Sequence, residues 1–140
     1  MRPSTAPRLL VGLDGTPPAT EALARAADIA RRHDGHLRVV MVLRRSWLAD
    51  LSCFSPASVP QAFVEEAWAE ALRRAIASLP PDVGVRSVVR RGGVVAALAA
   101  EADAGACDSI LIGARHGWRS RRLATVLRRR CGVPVEVVGP

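Results

Sequence analysis

The amino-acid sequence predicts an α/β domain in which a mostly parallel sheet carries helices on both faces. Short runs of aliphatic and β-branched residues alternate along the chain with stretches whose apolar residues recur at helical spacing. Several of these runs are apolar throughout, which is typical of parallel strands buried on both faces. Glycine and proline separate the segments. Strands that alternate with helices are joined by right-handed crossovers, so the helices cover both faces of the sheet.

The first third of the chain is predicted to be a strand–helix–strand unit. Residues 8–13 form the first apolar strand. The turn that follows ends with Thr16, a suitable N-cap, and Pro17, which fits the first helical turn because its missing N–H is not needed there. Apolar residues then recur at helical spacing until Gly35, a typical C-terminal stop. Residues 37–43 form the second strand.

The middle of the chain is less regular. Residues 44–60 carry serines and prolines without periodicity and are predicted to be an irregular loop. Residues 61–79 predict a long helix, because one side is apolar, Glu65 and Glu66 mark the other, and two prolines follow. Alternation of apolar and polar residues over 83–89 predicts the third strand.

The last third contains two further strands and two helices. A short alanine-rich helix is predicted over residues 94–104, because glycines directly precede and follow this segment. The apolar run 109–112 forms the fourth strand. A basic helix over about 120–130 and a last strand over 133–138 complete the chain. Ligands of such sheets bind beyond the carboxyl ends of the strands, at the point where the strand order reverses.

Length and composition set limits on the function. The 140 residues predict a single domain, 1–140, in which residues 1–7 are a flexible N-terminus. No apolar run approaches the length of a membrane span, and no signal peptide is visible, so we expect a cytoplasmic location. The three cysteines lack metal-ligand spacing, so we expect free thiols and no metal site.

Arginine supplies the whole positive charge. The chain carries a net charge of +7 without a single lysine, which excludes a Walker-type phosphate loop, a Schiff-base enzyme and a protein kinase. Arg90 stands where a phospho-acceptor receiver domain needs an acidic residue. Arginines cluster in the basic helix 119–130, so binding of an anionic partner through this helix remains an alternative function. The scarcity of aromatic residues argues against nucleic acid as that partner. No pattern of catalytic residues is visible, so no enzyme is predicted.

The segment from Cys107 to Cys131 carries the strongest functional signal. It contains a strand, a turn bounded by Gly113 and Gly117, and the start of a helix. Unpaired N–H groups and the positive end of the helix dipole point into such a turn, which makes it a natural anion site. Arg115 adds positive charge to the turn. The alternative is an ordinary strand-to-helix turn with surface arginines.

The sequence resembles the universal stress protein family over almost its whole length. The resemblance rests on LLVGLDGTPPATEALARAADIA at the start, ACDSILIGARHG in the middle and GVPVEVV at the end. It implies an α/β fold of the adenine nucleotide alpha hydrolase type, with a five-stranded parallel sheet in the order 3-2-1-4-5. It also implies a regulatory or binding module of the stress response, and a homodimer formed through the C-terminal strand 133–138. Slow ATP hydrolysis stays open.

The phosphate motif departs from the family pattern Gly-x2-Gly-x9-Gly-Ser/Thr, which wraps the phosphates of ATP. Gly113 matches the first glycine, but three residues separate it from Gly117. Only six residues then separate Gly117 from Ala124-Thr125, which stands in place of Gly-Ser/Thr. A Cβ at position 124 is expected to crowd a phosphate or block the turn. The family includes members with degraded motifs that bind no nucleotide. The departures favour such a member, which would be a dimerising interaction module or bind an unidentified protein partner.

If ATP or another adenine nucleotide binds, the resemblance implies where the contacts lie. Asp14 matches the acidic residue of the adenosine pocket, although an Asx turn or a cap of the first helix explains it equally well. Val42 matches the strand position whose backbone meets the base, although it is also ordinary strand core. The implied contact residues are Gly12, Leu13, Asp14, Val42, Gly113, Arg115, Gly117, Thr125 and Val126.

Glu136 lies in the middle of the last strand, where the resemblance leads us to expect an apolar residue. A charge on an edge strand discourages pairing with another copy. Alternatively, the carboxylate meets an arginine across a dimer interface. The sequence leaves both interpretations open.

Overall fold

The computed structural model describes residues 6–13, 17–43, 61–114 and 117–139. The strands are β1 (Arg8–Leu13), β2 (His36–Leu43), β3 (Gly84–Arg91), β4 (Ser109–Gly113) and β5 (Val135–Val138). The helices are α1 (Pro17–His33), α2 (Gln61–Ala77), α3 (Val94–Ala104) and α4 (Gly117–Cys131). All paired strands are parallel, and their order is β3-β2-β1-β4-β5. The predicted fold class and strand order are therefore confirmed.

The sheet separates two apolar layers. Alternation along β1 sends Leu9, Val11 and Leu13 to the layer beneath α1 and α2, and Leu10 to the layer beneath α3 and α4. Leu10 and Val11 are both completely buried, so this strand is covered on both faces. None of the described helices has the length and apolar character needed to cross a membrane.

Two elements near the C-terminus differ from their predicted limits. Helix α4 begins at Gly117 and not near 120, so the chain turns from β4 into the helix within a few residues. Strand β5 begins at Val135 and not at 133. Pro134 has no N–H to donate to the β-ladder, so β5 begins after it. Its carbonyl still accepts a hydrogen bond from the N–H of Ile110 at 3.0 Å.

Strand β3 is longer than its apolar pattern predicts. It extends to Arg91, because Arg90 and Arg91 pair with Val42 and Leu43 of β2. Helix α2 is shorter than predicted and ends at Ala77. The following hydroxyl of Ser78 donates to the carbonyl of Ala75 at 2.6 Å, and prolines come next.

The remaining limits agree closely with the sequence. Gly93 is the N-cap of α3 and Gly105 its C-cap, as the flanking glycines predict. The predicted irregular loop, 44–60, and residues 1–5 of the predicted flexible N-terminus lie outside the described residues.

Candidate functional site

The crevice of this fold lies between β1 and β4, where the strand order reverses. The two strands are neighbours, and Gly12 pairs with Ile112. The helix that follows β1 packs on one face of the sheet, whereas the helix that follows β4 packs on the other. Their paths diverge at the carboxyl ends of the strands, which is where ligands of such sheets bind. Leu13 and Gly113 end the two strands there. Asp14 and Arg115 lie outside the described residues.

Both predicted glycines in this region allow a helix to approach the sheet. A Cβ on Gly113 would lie 2.4 Å from the amide nitrogen of Ala19 and 2.6 Å from the carbonyl carbon of Pro18. Glycine is therefore required for α1 to begin against the end of β4. A Cβ on Gly12 would lie 3.3 Å from a methyl group of Leu98 in α3. These glycines serve helix packing whether or not a ligand is present.

Leu13 and Val42 offer a ligand only their backbones. The side chain of Leu13 lies in the apolar layer beneath α1, and that of Val42 lies in the opposite layer beneath α3. Their exposed fractions are 5% and 6%. The interpretation of Val42 as strand core is confirmed. Because both side chains are buried, a base or sugar at this end of the sheet would meet the peptide groups of the strands.

The start of α4 lies at one end of the crevice and has the backbone groups that favour an anion. The N–H of Ala114 donates to the carbonyl of Val138 at 2.8 Å, so the chain follows the β-ladder up to this residue. Only residues 115–116 separate it from Gly117, where α4 begins. The unpaired N–H groups of the first turn and the positive end of the dipole lie at this point. Helix α1 offers fewer donors, because its first two residues are prolines.

The remaining predicted phosphate contacts lie elsewhere. Thr125 is in the third turn of α4, about 12 Å along the axis from its start. Its hydroxyl donates to the carbonyl of Arg121 at 3.0 Å, within the same helix. Val126 is 41% exposed on the outer side of α4. The structure therefore brings Gly12, Leu13 and Gly113 together but separates Thr125 and Val126 from them.

Ala124 has a role that the sequence comparison with the family motif did not suggest. It is 1% exposed and packs in the apolar layer together with Leu127. Its methyl group fills the space between α4 and the sheet. The early start of α4 thus carries residue 124 into the core, which gives its Cβ a packing role in place of the expected contact with a phosphate.

Arginine dominates the surface of α4. Its described, exposed side chains include Arg121, Arg122, Arg129 and Arg130, and the helix contains no acidic residue. Arg128 donates to the carbonyl of Val135 at 2.6 Å and thereby ties the helix to β5. The helix surface is strongly positive along its length.

No described thiol is activated as a nucleophile. Burial raises the pKa of the Cys107 thiol, and it also raises the pKa of the Cys131 thiol. Both therefore stay protonated at neutral pH, whereas a nucleophilic cysteine needs a lowered pKa. Within the described parts of the chain, histidine, cysteine, aspartate and glutamate form no group of three or more that would hold a metal ion.

The structure gives Glu136 a partner within the same chain. Its Oε1 lies 2.7 Å from Nη2 of Arg25 in α1, and both side chains are about half exposed. Neither alternative drawn from the sequence included this pair, because no local pattern tells which residue of α1 lies over β5. The carboxylate at the sheet edge is thus compensated internally.

Two of the three comparisons with known proteins bear on the identity of the chain. The sequence model described as the Universal stress protein family matches residues 6–138. The comparison with curated proteins gave no match.

Solved structures share the fold at low sequence identity. A protein of the universal stress protein family from Burkholderia pseudomallei is 22% identical, with a TM-score of 0.71 over 99% of this chain and 100% of that one. A universal stress protein in complex with cAMP is 21% identical, with a TM-score of 0.66 over 95% and 96% of the chains. The protein from Archaeoglobus fulgidus in complex with dAMP is 18% identical, with a TM-score of 0.67 over 97% and 99%. At these identities the likeness establishes the fold.

Proposed function

Because this chain belongs to the universal stress protein family, we propose that it is a cytoplasmic, non-enzymatic binding module of the stress response whose ligand is an adenine nucleotide with one phosphate group. The proposed site is the crevice between β1 and β4. The single observation that carries the proposal is the start of α4 at Gly117, immediately behind the end of β4.

The short connection between β4 and α4 supports a single phosphate. The first-turn N–H groups of α4 bind one phosphate in the usual manner of a helix N-terminus. A triphosphate needs further donors along a loop, but Thr125 lies two turns into the helix and uses its hydroxyl there. The solved complexes of related fold with cAMP and dAMP each contain a nucleotide with one phosphate.

The adenosine moiety is proposed to lie across the carboxyl ends of β1 and β2. The peptide groups of Gly12 and Leu13 and the backbone near Val42 would meet the base and the ribose, since these side chains point into the core. Asp14 directly follows β1 in the sequence and is proposed to accept hydrogen bonds from the ribose hydroxyls.

Calorimetric titration of the nucleotide-stripped protein tests the proposal. We expect AMP and cAMP to bind saturably, with ADP and ATP binding no more tightly, because Thr125, the further phosphate donor that the family motif supplies, lies two turns into α4. Asp14→Ala should abolish binding, and Thr125→Val is the matched control that should leave it unchanged. ATP binding about tenfold tighter than AMP, a difference of 1.4 kcal/mol, would contradict the single-phosphate site. A lack of binding for all four nucleotides would leave an interaction module without a nucleotide site.

A homodimer through β5 is part of the proposal. β5 forms one edge of the sheet, with β4 as its only partner strand in the described chain. The pairing of Glu136 with Arg25 supports this dimer, because it reduces the negative charge at the edge that would otherwise oppose strand pairing.

A further inference from the structure

We infer that the chain has a second binding site, for a small organic anion, at the end of the sheet opposite to the crevice. A cavity of about 390 Å³ opens there at the amino ends of β1, β2 and β3. Three arginines and one histidine line it: Arg8, His36, Arg38 and Arg86. Neither the family resemblance nor the proposed nucleotide site involves this cavity.

The strand register brings these side chains together. Arg8 of β1 pairs with His36 of β2, and Arg38 of β2 pairs with Arg86 of β3 two residues further along. All four occupy positions on the α3 side of the sheet, the side to which Leu10 and Val40 also point. Arg8 and Arg86 are separated by two strand spacings and by two residues along the strands, about 12 Å in all. Their long side chains can therefore reach a ligand held between them.

The nearby carboxylates are already engaged. Glu101 binds Arg38 and, through its other oxygen, Arg90. Asp108 accepts the backbone N–H of Arg8 at 2.8 Å. No carboxylate in the described part of the chain forms an ion pair with the side chain of Arg8 or Arg86. The cavity therefore keeps an excess of positive charge.

The carbonyl groups at the C-terminal end of α3 are also engaged, so they do not serve as partners for the side chains of Arg8 and Arg86. Its last carbonyl groups accept N–H groups from the turn that follows, with Gly105 donating to Glu101, Ala106 to Asp103 and Cys107 to Ala102. Helix carbonyls that are capped in this way are satisfied. The exposed guanidinium groups beside them are left to bind an anion from solution.

The walls of the cavity indicate what kind of anion fits. Cys107 and the aliphatic stems of the arginines contribute apolar surface, and Gly84 and Gly105 leave the space open. A Cβ on Gly105 would lie 2.7 Å from Nε of Arg38, so a larger residue there would displace this side chain. The volume lies within the usual range for small-molecule pockets, about 300–1,000 Å³. The ligand class is a phosphate or carboxylate attached to a compact apolar body.

Titration calorimetry with phenyl phosphate, at low ionic strength and in a buffer without phosphate, tests this site. We expect saturable binding that is weakened about tenfold or more when Arg8→Gln and Arg86→Gln are combined, because each guanidinium donates charge-assisted hydrogen bonds. The combination of Arg122→Gln and Arg129→Gln removes the same charge from α4 and should leave the affinity unchanged. Benzyl alcohol, which lacks the anionic group, should not bind.

A second variant tests the cavity without changing any charge. A Cβ on Gly84 would meet only the imidazole of His36, at 3.2 Å. Because His36 is exposed and needs to shift by only a few tenths of an ångström, Gly84→Val is accommodated in the strand and fills the cavity. It should abolish phenyl phosphate binding while the melting temperature is retained. Undiminished binding in this variant, or equal weakening by the α4 control, would overturn the site. A lack of saturable binding to the unmodified protein would also overturn it. Asp14→Ala should leave phenyl phosphate binding intact, which separates this test from that of the nucleotide site.

Discussion

Arg38 of β2 and Glu101 of α3 form an ion pair in the interior, with Nη1 of the arginine 2.5 Å from Oε2 of the glutamate. The Glu101 side chain is only 4% exposed, and its other oxygen binds Arg90 of β3. Among the described residues, Glu101 is the only charged residue that is fully buried. Its carboxylate therefore joins α3 to two strands through a single, specific geometry.

Replacing Glu101 should destabilise the protein strongly. Glu101→Gln leaves the largely buried Arg38 without a counter-charge, and breaking one side of a buried ion pair costs about 3–5 kcal/mol. Urea denaturation measures the free energy of unfolding. Glu70→Gln is the matched control, because Glu70 pairs with Arg73 on the surface of α2 and its loss should change the stability little. Equal stability of the two variants would show that the buried pair does not hold α3 to the sheet.

The stability supplied by Glu101 should depend on pH. Burial opposes ionisation of this carboxyl, but hydrogen bonds from Arg90 and Arg38 outweigh it, so the pKa lies below the ordinary glutamate value of 4.5. A lowered pKa in the folded state means that the stabilisation is complete above the unfolded-state pKa and is lost as the pH falls through the folded-state pKa. The stability difference between the unmodified protein and Glu101→Gln should therefore shrink in acid. A difference that stays constant down to the acid limit would contradict this assignment.

Gly113→Ala should destabilise the fold in the absence of any nucleotide. The added methyl group would lie 2.4 Å from the backbone of Ala19, so α1 would have to shift, at a cost of about 1–3 kcal/mol. Gly93→Ser is the control, since a Cβ there meets nothing within 4 Å and serine is a good N-cap for α3. Thermal unfolding of both variants measures the effect. A loss that appears only in nucleotide affinity would assign Gly113 to the ligand and not to packing.

Restoring the family glycine at position 124 should not create an ATP site. Ala124→Gly places glycine inside α4 and removes a buried methyl group, which together cost about 1–2 kcal/mol. We expect lower stability and no gain in ATP affinity, measured by denaturation and calorimetry on the same preparation. A variant that bound ATP more tightly than the unmodified protein would show that residue 124 approaches the phosphates.

The charge of Glu136 should control the proposed dimer through Arg25. Arg25→Ala leaves the carboxylate uncompensated on β5 and should weaken self-association, since two such charges then meet at the paired edges. Glu136→Thr in the same background should restore it. Sedimentation velocity measures the dissociation constant of each form, and identical constants for all three proteins would exclude a dimer through β5. The isolated pair is exposed and contributes only about 0–1 kcal/mol to the fold itself.

The elements that the sequence predicts well are those whose signals are local. The limits of α3 follow from Gly93 and Gly105, and the central strands follow from apolar runs. These patterns reflect burial and backbone preference at neighbouring positions, so each element can be predicted from its own segment of the sequence. The strand order required the whole-chain resemblance, because no single segment specifies its neighbour.

Only the tertiary structure decided which partners the charged and small residues have. In the sequence, Arg90 is notable only because it occupies a position where a receiver domain needs an acidic residue. In the fold it forms an ion pair with Glu101 and lies within β3. Likewise, the resemblance assigns Thr125 to a degraded phosphate motif, but the early start of α4 turns its hydroxyl to the carbonyl of Arg121. Glu136 finds Arg25 because α1 lies over β5. Such pairs depend on the distance between segments remote in sequence, which arises only when helices and strands pack into one structure.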